Sequence, residues 1–114
     1  MIQRFCLACD LKDDPQLIEQ YKKYHAPGNA WPEITDSIRS AGIEDMQIYL
    51  TGNRLFMIME VNDNFDPQRK AEMDAENIKV QEWENLMMQF QQLLPWAKVG
   101  EKWVEMEKIF QLGG

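Results

Sequence analysis

The sequence predicts an α+β fold: the βαββαβ order of ferredoxin-like domains, with an extra helix in each crossover and a four-stranded antiparallel sheet. Three observations carry that reading. Two Asp-Pro pairs, Asp14-Pro15 and Asp66-Pro67, place an N-cap acceptor before a proline at the first helical position. A hairpin signal lies between them, in which two β-prone runs flank Thr51-Gly52-Asn53. Strand-like patterns stand at both ends of the chain. At 114 residues the whole of 1–114 fits one domain with one core.

Each element has a local reason. Ile2 to Asp10 alternates as a first strand, with Phe5, Leu7 and Cys9 on one face and Arg4, Cys6, Ala8 and Asp10 on the other. Asp14-Pro15 starts a helix that runs to Tyr24 or His25, where Pro27-Gly28 stops it. Trp31-Pro32 opens a second helix to about Ala41, with Ile34 and Ile38 as its apolar stripe and Gly42 as its stop. Met46 to Leu50 and Leu55 to Val61 form the hairpin. Asp66-Pro67 begins a third helix that breaks near Ala75 to Asn77. A longer helix is expected from Lys79 to about Leu93, because Leu86, Met87, Phe90, Leu93 and Leu94 follow helical spacing with Trp83 one turn earlier. Pro95 ends it. Lys102 to Leu112 reads as the last strand. One sheet face is covered by helices. The other carries Phe56 and Ile58, too apolar for water, so two copies are expected to pack sheet to sheet as a symmetric homodimer.

Charge and composition narrow the partners. The net charge is −7 and the sequence pI about 4.6, which repels nucleic acid and anionic membrane surfaces. The basic residues form no stripe, so no nucleic-acid partner is expected. No apolar run approaches a membrane span, and the N-terminus lacks the pattern of a signal peptide, so a cytoplasmic location is expected. A small neutral molecule is the better partner. Cys6 and Cys9 sit three apart on a strand, facing opposite ways with Cα atoms roughly 10 Å apart. They read as reduced thiols, and the chain lacks the further Cys and His ligands that a structural zinc requires. No metal and no cofactor are expected.

The functional candidates gather around the only histidine. His25 falls four residues after Tyr21, on the face that Leu17 and Ile18 begin. A buried helix face that finishes in a phenol and an imidazole suits a polar pocket. Imidazole moves protons in both directions near neutral pH, and the helix macrodipole at this end favours its charged form. Trp31, Tyr49 and Trp83 complete an aromatic set that fits the C–H faces and hydroxyl edges of a neutral monosaccharide. With no Gly-rich phosphate loop and no nucleophile pair, the residues point to proton transfer without covalent catalysis. Tyr49 and Met46 differ in strand parity, so the two cannot both face one pocket. Glu60 is expected to pair with Arg4 or Lys108.

Tyr21-x-x-x-His25, Trp31-Pro32-Glu33, Ile48-Tyr49-Leu50, Leu55-Phe56, Glu60, Trp83 and the closing Lys108-Ile109-Phe110-Gln111-Leu112 together resemble the L-rhamnose mutarotase family over nearly the whole chain. The resemblance implies a dimeric α/β barrel and a cofactor-free isomerase that interconverts the α and β anomers of a 6-deoxy sugar. It implies His25 as the catalytic acid–base, with Tyr21 and Trp83 as substrate-binding residues; Tyr49 is added as a substrate-binding candidate from the aromatic set. Three departures bear on the sugar. Glu84 stands where the family has a second tryptophan, Met46 where it has a substrate-contacting tyrosine, and the loop through Gly28-Asn29-Ala30 is longer. L-fucose thereby stands beside L-rhamnose as a candidate. Two other uses of such a scaffold remain open from the residues alone: a haem-degrading or cofactor-free monooxygenase, and a sugar-binding module without catalysis.

Overall fold

The chain begins its fold with a strand that becomes the middle of a sheet. In the computed structural model, which describes residues 2–113, Gln3–Leu11 (β1) precedes helices Pro15–His25 (α1) and Pro32–Ser40 (α2). The hairpin strands Ile43–Thr51 (β2) and Arg54–Val61 (β3) come next, then helices Pro67–Glu76 (α3) and Ile78–Met88 (α4). Two short strands, Gln91–Gln92 (β4) and Val104–Glu105 (β5), close the order. The sheet runs β2-β3-β1-β4, with β5 also against β1, and every pairing is antiparallel. This is the ferredoxin-like arrangement that the element order predicts.

The local signals act as expected. The Asp14 carboxylate accepts from the backbone N–H of Gln16 at 2.9 Å, and Asp66 does the same for Gln68 at 3.0 Å. Asn77 ends α3 and caps α4, accepting from Lys79 and Val80. Gly52 closes the hairpin with φ of +57°, in the left-handed region that favours glycine. Leu11, Ile43, Leu55 and Val61 are fully buried, and each such side chain contributes about 1.5–3 kcal/mol. Leu11 and Leu55 join Tyr21, Met87 and Phe90 in one cluster, onto which Leu17, Ile18 and Trp83 pack.

Two expectations change. The α4 helix ends at Met88, not near Leu93. Phe90 stays in the core, but Lys12 N–H donates to its carbonyl at 2.8 Å, tying this segment to the end of β1. The apolar spacing continues because the chain still needs core residues after it leaves the helix. Leu93, expected on the buried stripe, is about half exposed. The last strand is also far shorter than Lys102 to Leu112. Only Val104 and Glu105 pair with β1, and Met106 N–H adds one bond to Cys6 O at 2.7 Å. Beyond that point Ile109, Phe110 and Leu112 meet no partner strand and stand exposed.

Charge is paired across the sheet face away from the helices. Asp10 is only 3% exposed and accepts two bonds from Arg54, at 2.7 and 3.1 Å. The two residues are direct cross-strand partners, and the Trp96 ring lies 5.0 Å from the guanidinium carbon. A buried carboxylate is tolerated because the fork of Arg54 satisfies both oxygens. Arg4 and Glu60 approach to 3.7 Å on the same face, as the sequence predicts for Glu60. Both cysteines are free, with Cys9 buried.

Gly42 offers a direct test of how tightly the α2–β2 corner is built. Its φ is +96°, and a Cβ there would lie 2.7 Å from Asn62 Oδ1 and 2.9 Å from the Phe65 backbone nitrogen. Gly42→Ala is expected to cost about 2–4 kcal/mol through strain and overlap together. Urea unfolding reads this as a lower midpoint with an unchanged slope.

Candidate active site

The last turn of α1 delivers two candidate side chains to one place. Tyr21 and His25 are one helical turn apart, and their rings lie 4.3 Å apart at 31°. Tyr21 is buried among core residues, while His25 is half-buried at the helix end. Trp83 on α4 meets His25 at 5.5 Å, edge to face. Trp31, at the start of α2, buttresses Trp83 at 5.1 Å. Tyr21, His25 and Trp83 line a cavity of about 750 Å³ over the sheet. Its floor includes Leu7, Met57 and Ile48, which sit side by side on β1, β3 and β2.

The tautomer of His25 follows from its partner. Nδ1 lies 2.8 Å from the Tyr21 carbonyl oxygen. A carbonyl only accepts, so Nδ1 donates and the neutral ring carries its lone pair on Nε2. Burial lowers the His25 pKa, against a smaller opposing effect of the bond to the Tyr21 carbonyl. The macrodipole argument for a charged imidazole is therefore overturned, because desolvation dominates. At neutral pH the site holds a base.

Tyr21 supplies the complementary property. Burial pushes its phenol up to about 12, so the group keeps its proton. Gln91 Nε2 donates to the phenol oxygen at 3.4 Å. Gln91 lines the same cavity and no sequence signal marks it, since a glutamine just after a helix is ordinary. Met46, Glu84 and Ala30 also line the cavity, so all three departures from the family pattern reach its wall. The third, the Gly28-Asn29-Ala30 loop, is tied back to α1 by Asn29 Nδ2 donating to Lys23 O at 2.8 Å.

Tyr49 is not brought into this group. Strand alternation sends Ile48 to the cavity and Tyr49 to the opposite face. There it is 55% exposed and donates to Gln47 Oε1 at 3.0 Å. Within one chain that parity keeps it away from Tyr21 and Trp83, where the sequence reading placed it. No group of three or more His, Cys, Asp or Glu side chains is arranged to hold a metal ion among the described residues. No helix among them is long and apolar enough to cross a membrane.

Comparison with known proteins gives a consistent result. The family model for L-rhamnose mutarotase matches residues 4–112. An L-fucose mutarotase from Xanthomonas campestris is 45% identical over 111 residues, covering 97% of this chain and 89% of that protein. An L-rhamnose mutarotase from Paraburkholderia phytofirmans is 30% identical over 64 residues, covering 54% of this chain and 58% of its own. The crystal structure of L-rhamnose mutarotase from Formosa agariphila superposes with a TM-score of 0.68 at 21% identity, covering 96% of this chain and 98% of that one. At that identity the superposition speaks to the fold.

The state of His25 is measurable. Its Cε1 proton signal is expected to titrate below the ordinary 6.5. Because the folded pKa lies below the unfolded one, the unfolded chain takes up this proton first as pH falls. Stability held above the unfolded pKa is then lost as pH drops toward the folded value. His25→Gln is expected to remove that part of the pH dependence of unfolding. A titration at or above 6.5 would contradict a neutral, desolvated imidazole.

Proposed function

The chain belongs to the L-rhamnose mutarotase family of isomerases, and we propose that it interconverts the α and β anomers of a 6-deoxyhexose, L-fucose ahead of L-rhamnose. The observation that carries the chemistry is the bond from His25 Nδ1 to the Tyr21 carbonyl, which leaves Nε2 as a neutral base inside an aromatic cavity. The preference for L-fucose is supported by the relative that is 45% identical over 97% of the chain.

The reaction proceeds by ring opening. His25 Nε2 accepts the proton of the anomeric hydroxyl. The C1–O5 bond breaks as the C1 carbonyl forms, and O5 takes a proton from a hydroxyl or water on its other side. Rotation about C1–C2 presents the opposite carbonyl face. Reclosure reverses both transfers, so no proton is gained or lost. Tyr21 orients the sugar by hydrogen bonding, Trp83 stacks on a C–H face, and the C6 methyl meets the apolar floor. General acid–base assistance of this kind contributes about 10²–10⁴-fold.

The same reading includes a homodimer. The sheet face away from the helices carries Phe56, Ile58 and the exposed Tyr49, and the chain's last turns expose Ile109, Phe110 and Leu112. A copy related by two-fold symmetry covers both surfaces at once, because each chain offers both.

Magnetisation exchange between α and β anomeric protons tests the activity. The wild-type protein is expected to speed exchange of L-fucose more than of L-rhamnose, and His25→Ala to lower the catalysed rate by about 10²–10⁴-fold. Undiminished exchange in that variant would remove His25 from the reaction. Sedimentation is expected to show a dimer, and the double variant Ile109→Ser, Phe110→Ser a shift toward monomer.

A further inference from the structure

We infer that Gln91 positions the sugar: it fixes the direction of the Tyr21 hydroxyl and presents its own unpartnered amide end to a second, neighbouring sugar hydroxyl. The inference rests on the mutarotase reading for the identity of the ligand, not for the geometry.

The backbone of Gln91 is held by β4, where it pairs with Leu11 at the end of β1. Directly paired residues of antiparallel strands share a face. Leu11 is a fully buried member of the core cluster on the helix side, so the Gln91 side chain points into the same layer. An amide there is costly unless both ends are bonded. One end donates to Tyr21 Oη at 3.4 Å. The other, Oε1, is buried and has no partner, the one such side-chain atom among the described residues. Were packing its role, a leucine or methionine would fill the place without that cost. Buried polar groups left open in this way point to a missing ligand.

The donor–acceptor logic gives the ligand a shape. Tyr21 keeps its proton because it is buried. Its oxygen already accepts from Gln91, so its own proton is free to be donated into the cavity. Gln91 Oε1 can only accept. Because Oε1 is buried, a slight turn of the side chain brings it to the cavity that Gln91 lines, and the pair then presents one donor beside one acceptor, the complement of two vicinal hydroxyls on a pyranose. Turning the amide over would still bond one end to Tyr21 and leave the other open. The two orientations differ in which way the phenol proton points, and one variant separates them.

Two variants test this, each first checked for wild-type circular dichroism and melting. Gln91→Met fills the same volume without hydrogen bonds. It is expected to raise KM for L-fucose about tenfold, the factor for one lost buried hydrogen bond, with kcat within about twofold. Gln91→Glu places a group that only accepts while ionised, so it draws the Tyr21 proton away from the sugar. Its KM is expected to be raised at neutral pH and to fall as the carboxyl protonates. Wild-type KM in folded Gln91→Met, or a raised KM in Gln91→Glu with no recovery in acid, overturns the inference. Quenching of tryptophan fluorescence by L-fucose reads affinity without turnover. If the wild-type protein binds but does not speed anomer exchange, the mutarotase reading fails, and a tenfold weaker Gln91→Met still supports Gln91. If neither L-fucose nor L-rhamnose binds, both fail.

Discussion

The rest of the molecule depends on β1 being a central strand with neighbours on both edges. Its eight-pair ladder with β3 brings in the hairpin, and its other edge takes β4 and β5. Its end is held twice more: Leu11 N–H donates to Asn53 O at 2.7 Å, and Asn53 Nδ2 donates to Leu11 O at 2.9 Å. Because side chains alternate along a strand, this one segment sorts the chemistry of the protein. Leu7 and Leu11 face the helices, one in the cavity floor and one in the core. Asp10 faces the other way, where Arg54 neutralises it. A one-residue slip would exchange these roles, bringing a carboxylate into the helix layer and exposing leucines.

Against that fixed sheet, the end of α1 resolves a competition between two electrostatic effects. A helix C-terminus favours a cation, and α1 already gathers Lys22 and Lys23 in its last turn. Those lysines are exposed and solvated, whereas the imidazole is packed between Tyr21 and Trp83. The desolvation of a charged ring outweighs a terminal dipole that is partly screened by water. The same packing that lowers the His25 pKa also directs Nδ1 to the Tyr21 carbonyl. Protonation state and tautomer thus share one cause, the aromatic layer that α1 and α4 build together.

Much of this was legible in the sequence where the signal was local. The Asp-Pro starts, the Gly52 turn and the Tyr21–His25 spacing each act within a few residues, and the helices and hairpin follow them. The end of α4 was not legible, because Phe90 and Leu94 remain buried after the helix stops, so apolar spacing outlasts helical geometry. The last strand was overextended because β-prone residues at Ile109 and Phe110 have no edge within one chain to pair with. Tyr49 shows what parity alone leaves open: alternation sets it opposite Met46, but only the structure shows that Met46 and Ile48 take the cavity face. Gln91 was invisible for the opposite reason. Its meaning lies in an absent partner, which only the packed structure displays.

The site is also part of what makes the protein fold. Tyr21 belongs to the same buried cluster as Leu11, Leu55, Met87 and Phe90, and Trp83 packs against it. Truncating either side chain would open a void in the core as well as remove part of the cavity wall. His25 differs, being half-buried at the cluster's rim and, among the described residues, hydrogen-bonded through Nδ1 alone. Its Nε2 is the part of the aromatic layer that packing does not require. Under the proposed reaction one imidazole suffices: ring opening of a free sugar already proceeds in water, so a base held still in a dry wall serves it better than an elaborate array. A core that must be rigid for its own stability provides that stillness without further parts.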